Sequence, residues 1–437
     1  MRRVPGLAPR FAAWRILHDV RHGVPFDVAL KRALEGFEPD DRRLAHELAA
    51  GVFRRRTELD LALDPAIERG VKSVRPDMLD ALRIGAFQLL HLDRVPPHAA
   101  VQTTVGVVRR IGGRRVAGFV NAVLRQVAER APSPDPADDA ERSPAERLAD
   151  RHSHPRWLVD RWIARHGIEN AERLLVWNNT TPGLALQPAR WSAAEVEAAL
   201  DRAGVAHERI QENGGILVRG RRPTELPGFA DGGFYVQDPA QALVIRYADV
   251  PAGVLAFDPC AAPGGKALAL ARSARLVVAA DRERRRMSRL RANVERVGQG
   301  PIALIVADAN RPPLRSADVV LLDAPCLGTG TFARNPDARW RVTERALAML
   351  AEQASGFLDA LADLVVPGGL LLFATCSLEP EENAEQVERF LARDPRFRRD
   401  PPSTVPSRFL TSVGDLMILP HRDSMDGAYA ARLRRAD

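Results

Sequence analysis

"VLAFDPCAAPGGK", residues 254–266, is the stretch whose reading decides the fold. A short apolar run meets an acid, Asp258, then a thiol, Cys260, and a glycine pair, Gly264 and Gly265, with Lys266 behind them. An uninterrupted apolar run of this kind suits a strand buried on both faces, and the glycines let backbone come close to a ligand where the next helix begins. The pattern recurs in "RLVVAAD" (275–281), "IALIVADAN" (302–310), "ADVVLLDAPC" (317–326) and "GGLLLFATCS" (368–377), with helical stretches between. Strands alternating with helices predict a doubly wound, Rossmann-like α/β domain over 251–437 with a parallel sheet.

Upstream the periodicity changes. "PDMLDALRIGAFQLLHL" (76–92) places its apolar residues largely on one helical face behind Pro76, and two more helices are predicted on either side of Gly112-Gly113. Residues 1–130 therefore read as an all-α bundle. The Pro-, Ser-, Asp- and Ala-rich stretch around "APSPDPADDAERSPAER" reads as a linker, 131–148. Between 149 and 250 a small connecting α+β subdomain is expected. It has helical patterning around Trp157, Trp162 and Trp177, read as packing residues, then a strand "LALQP", a helix "SAAEVEAALDRAG" and strands near "GGILVRG" and "GGFYVQD".

Composition narrows the function classes. The chain has 437 residues, 46% of them hydrophobic and 27% charged, an ordinary globular balance. No apolar run reaches the roughly 18 residues of a membrane span, and the basic N-terminus has no apolar segment of the secretory kind. With three cysteines and no CxxC pair, neither a disulfide framework nor a zinc site is expected. A cytoplasmic monomer without a metal is the expectation. Residues 1–130 carry 23 Lys+Arg against 15 Asp+Glu, so the positive charge sits in the helical part, which suits a polyanionic partner. Only Lys31, Lys72 and Lys266 are lysines among 63 basic residues, which draws attention to Lys266.

In a doubly wound sheet, ligands bind beyond the carboxyl ends of the strands. The loop of Cys260, Ala261, Ala262, Pro263, Gly264, Gly265 and Lys266 is neither a Walker A nor a GxGxxG fingerprint. Asp281, ending the second strand, suits the hydroxyls of a ribose, and Asp308, read as the end of the third, suits the surroundings of an adenine. Such a pocket is expected to take S-adenosylmethionine, a nucleoside with a carboxylate-bearing tail and no phosphate. Asp323 and Cys326 close the fourth strand and Cys376 the fifth. Two thiols facing a nucleoside pocket suit methylation of a pyrimidine at C5, because thiolate addition to C6 turns C5 into a nucleophile. An acid beside N3, the role expected of Asp323, neutralises the charge that develops there. The acids of "EPEEN" after Cys376 read as the start of the next helix, with Pro380 in its first turn and Glu381 and Glu382 facing solvent.

"DPCAAPGGK", "DAPCLGTG" and "ATCSLEPEEN", in this order, resemble the RNA cytosine-5 methyltransferases. "LRIGAFQLLHLDRVPPHAAV" and "FVNAVLR" (119–125) resemble the NusB-like RNA-binding domain, and "DGAYAARLRR" (426–435) extends the likeness almost to the end. The combination is similar to bacterial small-subunit ribosomal RNA methyltransferases of the RsmB (Sun/Fmu) type. The residues alone do not choose between the two sulfurs. The resemblance implies that Cys376 is the nucleophile, that Cys326 assists proton removal or product release, and that the substrate is 16S ribosomal RNA. It also implies that the loop Cys260–Lys266, with Asp281, Asp308 and Asp323, binds S-adenosylmethionine. Arginines of the bundle and of "RERRRMSRLR" (282–291) would contact the RNA backbone. Methylation of transfer RNA, or a catalytically silent antitermination-like factor, are the competing readings. Leu327 after Cys326 and "LALQP" in place of an Arg-x-Asn stretch depart from the family pattern.

Overall fold

The computed structural model describes residues 6–129 and 142–437. It divides into two compact units, one running up to Thr180 and including Phe332–Arg341, the other comprising Thr181–Thr331 and Val342–Asp437.

The first unit is helical: α1 Leu7–Arg21, α2 Phe26–Ala33, α3 Pro39–Arg54, α4 Arg56–Leu63, α5 Pro76–His91, α6 Pro97–Ile111, α7 Gly113–Glu129, α8 Pro144–His152, α9 Arg156–His166 and α10 Ile168–Asn178. Proline opens α3, α5, α6 and α8, where its missing N–H costs no hydrogen bond. Ile16, Leu48, Leu82, Phe87, Val108, Val120 and Leu124 form the buried centre of the bundle.

Two boundaries differ from the reading above. Residues 130–141 of the expected linker lie outside the described residues, but α8 starts at Pro144. Ser143 caps it by accepting from Glu146 N–H while the Glu146 carboxylate accepts from Ser143 N–H. Helices α8–α10 group with the bundle rather than with the strands that follow, and so does the decapeptide 332–341 from within the expected methyltransferase domain. Trp162 is wholly buried and Trp157 and Trp177 are half-buried, in keeping with packing roles.

In the second unit, β1 Leu184–Pro188, β2 His207–Arg209, β3 Ile216–Val218 and β4 Phe234–Val236 form an antiparallel sheet ordered β2-β3-β1-β4, with α11 Ala193–Arg202 between β1 and β2. After α12 Pro239–Ala248 come β5 Leu255–Asp258, α13 Gly265–Leu270, β6 Leu276–Asp281, α14 Arg284–Val297, β7 Ile302–Val306, β8 Ala317–Asp323, α15 Glu344–Ala362 and β9 Val365–Thr375. The chain ends with α16 Ala384–Arg393, β10 Phe397–Arg399, β11 Leu416–Ile418, α17 Pro420–Asp423 and β12 Ala428–Arg435. The main sheet is ordered β10-β12-β9-β8-β5-β6-β7. β9, β8, β5, β6 and β7 are parallel, while β12 runs antiparallel to β9 and pairs antiparallel with β10 and β11. The sheet is therefore mixed rather than wholly parallel, and its third strand stops at Val306, short of Asp308.

Successive residues feed opposite faces. Phe257, Val320, Leu322 and Phe373 pack with α15, whereas Ala256, Val277, Leu321 and Leu372 pack with α13 and α14. Strand order reverses between β5 and β8, which creates a crevice at their carboxyl ends. Asp258, Asp281, Asp323 and Thr375–Cys376 stand along that edge.

Candidate active site

The β5–α13 loop is shaped by its glycines. Gly264 has φ +114°, and a Cβ there would lie 2.5 Å from Cδ1 of Leu290. Left-handed backbone and a blocked Cβ together demand glycine. The rest of the loop is pinned: Ala261 N–H donates to Ala280 O at 2.8 Å, Arg286 donates to Ala262 O at 3.0 Å and Asn293 to Pro263 O at 2.9 Å. Gly264→Ala is expected to weaken S-adenosylmethionine binding at least tenfold, since relieving strain of about 1–3 kcal/mol means moving the loop; isothermal titration checks it, and unchanged affinity would show that the loop does not touch the donor.

Acids stand at the ends of the strands and just beyond them. Asp258 is fully buried; its Oδ1 accepts from Cys260 N–H at 3.2 Å and its Oδ2 has no hydrogen-bond partner. Burial, and after it the charge of Asp323, raise its pKa to about 8 in spite of Lys266. Asp281 Oδ1 accepts from Glu283 N–H at 2.9 Å, while its buried Oδ2 has no hydrogen bond and lies 3.3 Å from Arg286 Nε. Asp308, half-buried beyond β7, accepts from Asn310 N–H at 2.9 Å. Lys266, nine-tenths buried, donates to Asp323 Oδ2 at 2.7 Å and to Gln241 Oε1 at 2.5 Å. That tie sets Asp323 against the loop, and Gln241 is a partner that the sequence did not flag.

The thiols divide into two kinds. Burial, followed by the charges of Asp258, Asp323 and Asp281, pushes Cys260 well above the ordinary thiol range, which keeps it unreactive at neutral pH. Cys326 and Cys376 lie just beyond the carboxyl ends of the neighbouring parallel strands β8 and β9, with sulfurs 3.5 Å apart. The hydrogen bond with Cys376 and burial hold the Cys326 thiol well above its ordinary value, and the Glu382 carboxylate adds to the effect. Cys326 thus stays protonated and available as a donor to its neighbour's sulfur.

Of the acids after Cys376, Glu382 does not face solvent, contrary to expectation, and Glu381 is half-buried. Pro380–Glu382 form a 3-10 turn, and α16 begins only at Ala384. Glu379 and Glu382 are buried, and both oxygens of Glu382 accept from Leu327 N–H, at 2.9 and 3.2 Å. Burial lifts the Glu382 carboxyl to about 7, against hydrogen bonds from Ser377 and Leu327 that favour the charged form. Other bonds tie the two loops together: Leu378 N–H donates to Thr329 Oγ1 at 2.8 Å, and Gly330 N–H to Cys376 O at 3.0 Å. Gly427, in the approach to β12, stacks so closely on Gly330 that a Cβ at residue 330 would lie 2.6 Å from its Cα. This contact explains why a stretch near the end of the chain carries part of the resemblance.

Among the described residues, no helix is long and apolar enough to cross a membrane, and no group of three or more His, Cys, Asp or Glu residues is arranged to hold a metal ion.

Comparison with known proteins agrees with the two kinds of architecture. Residues 250–434 match the family described as 16S rRNA methyltransferase RsmB/F, and residues 8–129 match the NusB family. The chain is 34% identical over 98% of its length, and 100% of the relative's, to the probable ribosomal RNA small subunit methyltransferase B of Synechocystis. It is 34% identical over 97%, covering 96% of the relative, to the ribosomal RNA small subunit methyltransferase B of Vibrio cholerae. Among solved structures, the crystal structure of PH0851 superposes with TM-score 0.84 over 99% of both chains at 24% identity. That of NSun6 from Pyrococcus horikoshii gives 0.58 over 65% of this chain and 98% of that one, at 18% identity.

Proposed function

Because the chain belongs to the 16S rRNA methyltransferase RsmB/F family, with S-adenosylmethionine as its methyl donor, we propose that it methylates C5 of a cytosine in 16S ribosomal RNA through a covalent cysteine adduct. The observation that supports this most is the pair of sulfurs 3.5 Å apart at the crevice, beside the Lys266–Asp323 ion pair.

S-adenosylmethionine supplies an electrophilic methyl group; the pinned loop from Cys260 to Lys266, with Asp281 and Asp308, would hold it. Everything else falls to the chain's own residues. The target base leaves its stack, at a cost of a few kcal/mol. Cys376 Sγ, as thiolate, bonds to C6, and the electrons of the C5–C6 double bond make C5 nucleophilic. A proton taken up from water at N3 neutralises the charge that develops there, and Asp323, steadied by Lys266, accepts from that N3–H. Once C5 carries the methyl group, its proton passes to water, the double bond re-forms and the C6–S bond breaks. The leaving sulfur is received by the Cys326 S–H, which hydrogen-bonds it.

The basic charge of the helical unit supports an RNA substrate, since phosphate neutralisation supplies much of the affinity of such proteins. Along α14, Arg284, Arg285, Arg289 and Arg291 are exposed. Bisulfite sequencing of 16S ribosomal RNA, with and without the protein, tests the proposal. One cytosine is expected to resist conversion only when the protein is present; identical conversion at every cytosine would refute the assignment.

A further inference from the structure

We propose that Glu382 is a positioning residue that holds Cys326 and Cys376 in register, so that the sulfur which ends the reaction stays within reach of the sulfur which begins it. This rests on the covalent mechanism above and deepens it.

The geometry is that of a clamp. Leu327 directly follows Cys326, and its N–H is held by both oxygens of Glu382. Glu382 itself belongs to the loop that carries Cys376, six positions further along the chain. One side chain of the Cys376 loop therefore holds the residue after Cys326, tying two loops that lie 55 positions apart in the chain. A buried carboxylate without a cation is an expensive way to satisfy one N–H. Glu382 is 1% exposed, and among the described residues no basic side chain forms an ion pair with it. A main-chain carbonyl or an amide would serve as an acceptor at less cost. Here both oxygens face the one Leu327 N–H, so the side chain's length and an acceptor atom, rather than its charge, set the hold.

Because the clamp acts through side-chain length and acceptor atoms, its variants separate geometry from charge. Glu382→Gln keeps length and an acceptor oxygen. Glu382→Asp keeps charge but withdraws the oxygens by one methylene. Each is compared with wild type and Cys326→Ala in single-turnover assays on 16S ribosomal RNA, with covalent protein–RNA adduct read on a denaturing gel. Glu382→Asp and Glu382→Ala are expected to lower kcat by roughly tenfold to a hundredfold, the worth of hydrogen bonds to a charged group. KM for S-adenosylmethionine should stay within about twofold, and adduct should accumulate as in Cys326→Ala. Glu382→Gln is expected to stay within about fivefold of wild type without accumulating adduct. If Glu382→Ala does not fold, the Gln and Asp variants decide the matter. Adduct in Cys326→Ala but none in Glu382→Asp, or a Gln variant as impaired as the Asp variant, overturns the clamp alone. No adduct in any variant overturns the covalent reading and the clamp with it.

Discussion

Replacing Cys376 by alanine is expected to abolish methyl transfer while leaving S-adenosylmethionine bound as tightly as before. Cys376 directly follows β9, and its hydrogen bonds run to Cys326 and Gly330 rather than to the loop from Cys260 to Lys266; Lys266, Asp281 and the glycine turn are untouched by the change. The loss should therefore fall on chemistry. Without a thiolate at C6 there is no enamine, and C5 of cytosine is too poor a nucleophile to attack a methyl group unaided. A drop on the order of 10³-fold or more is the scale expected when a nucleophile is removed. Cys260 cannot substitute, because burial and three nearby acids keep its thiol protonated. Cys326 is 3.5 Å away but is itself held protonated. Quench assays for methyl transfer, beside titration calorimetry for donor affinity, check both halves. Normal turnover in Cys376→Ala would end the covalent account, and lost affinity for the donor would place Cys376 in the donor site instead.

Residues that announce themselves by local pattern were legible in the sequence. The strands β5, β6, β8 and β9 are uninterrupted apolar runs, and their ends bring Asp258, Asp281, Asp323 and Cys376 to one edge as read. What escaped notice is consistently a buried charge whose partner is distant in sequence. "AYAARLRR" looks like a solvated stretch, since alanine and arginine are poor markers of a buried strand. Yet Arg432 is 6% exposed because it donates to Ala248 O at 3.0 Å and to Asp400 O at 2.7 Å. "FARNPDARW" looks like an exposed loop, but Arg339 is fully buried, donating to Asn178 O and Asn179 Oδ1 at 2.6 Å. Burial, and secondarily the charges of Arg54 and Arg55, lower its pKa to about 9. Glu382 belongs to the same class: near a helix start, an acid reads as a dipole partner, and only the fold shows Leu327 N–H in front of it. Polar residues signal burial only through their partners, and partners more than thirty residues apart leave no periodicity to read.

Cys326→Ala should produce the opposite failure to Cys376→Ala: addition and methylation proceed, but release does not. The departing sulfur of Cys376 has one thiol within hydrogen-bond reach at 3.5 Å. In the resting enzyme that thiol stays neutral, because its hydrogen bond with Cys376, burial and the nearby Glu382 carboxylate all disfavour its charged form. A neutral S–H can stabilise the emerging thiolate as the C6–S bond breaks; alanine cannot. General acid assistance of this kind contributes about 10²–10⁴-fold, so breakdown of the adduct should slow by that order while its formation is little changed. A covalent protein–RNA species is then expected on a denaturing gel, absent from Cys376→Ala and from the double variant. Digestion and mass spectrometry should place the bound cytosine on Cys376. A bond to Cys326 in the Cys376→Ala protein would exchange the two roles. Free turnover of Cys326→Ala with no adduct would leave release to another group. Because each outcome depends on a different sulfur, the two variants assayed together distinguish the nucleophile from the residue that frees the product.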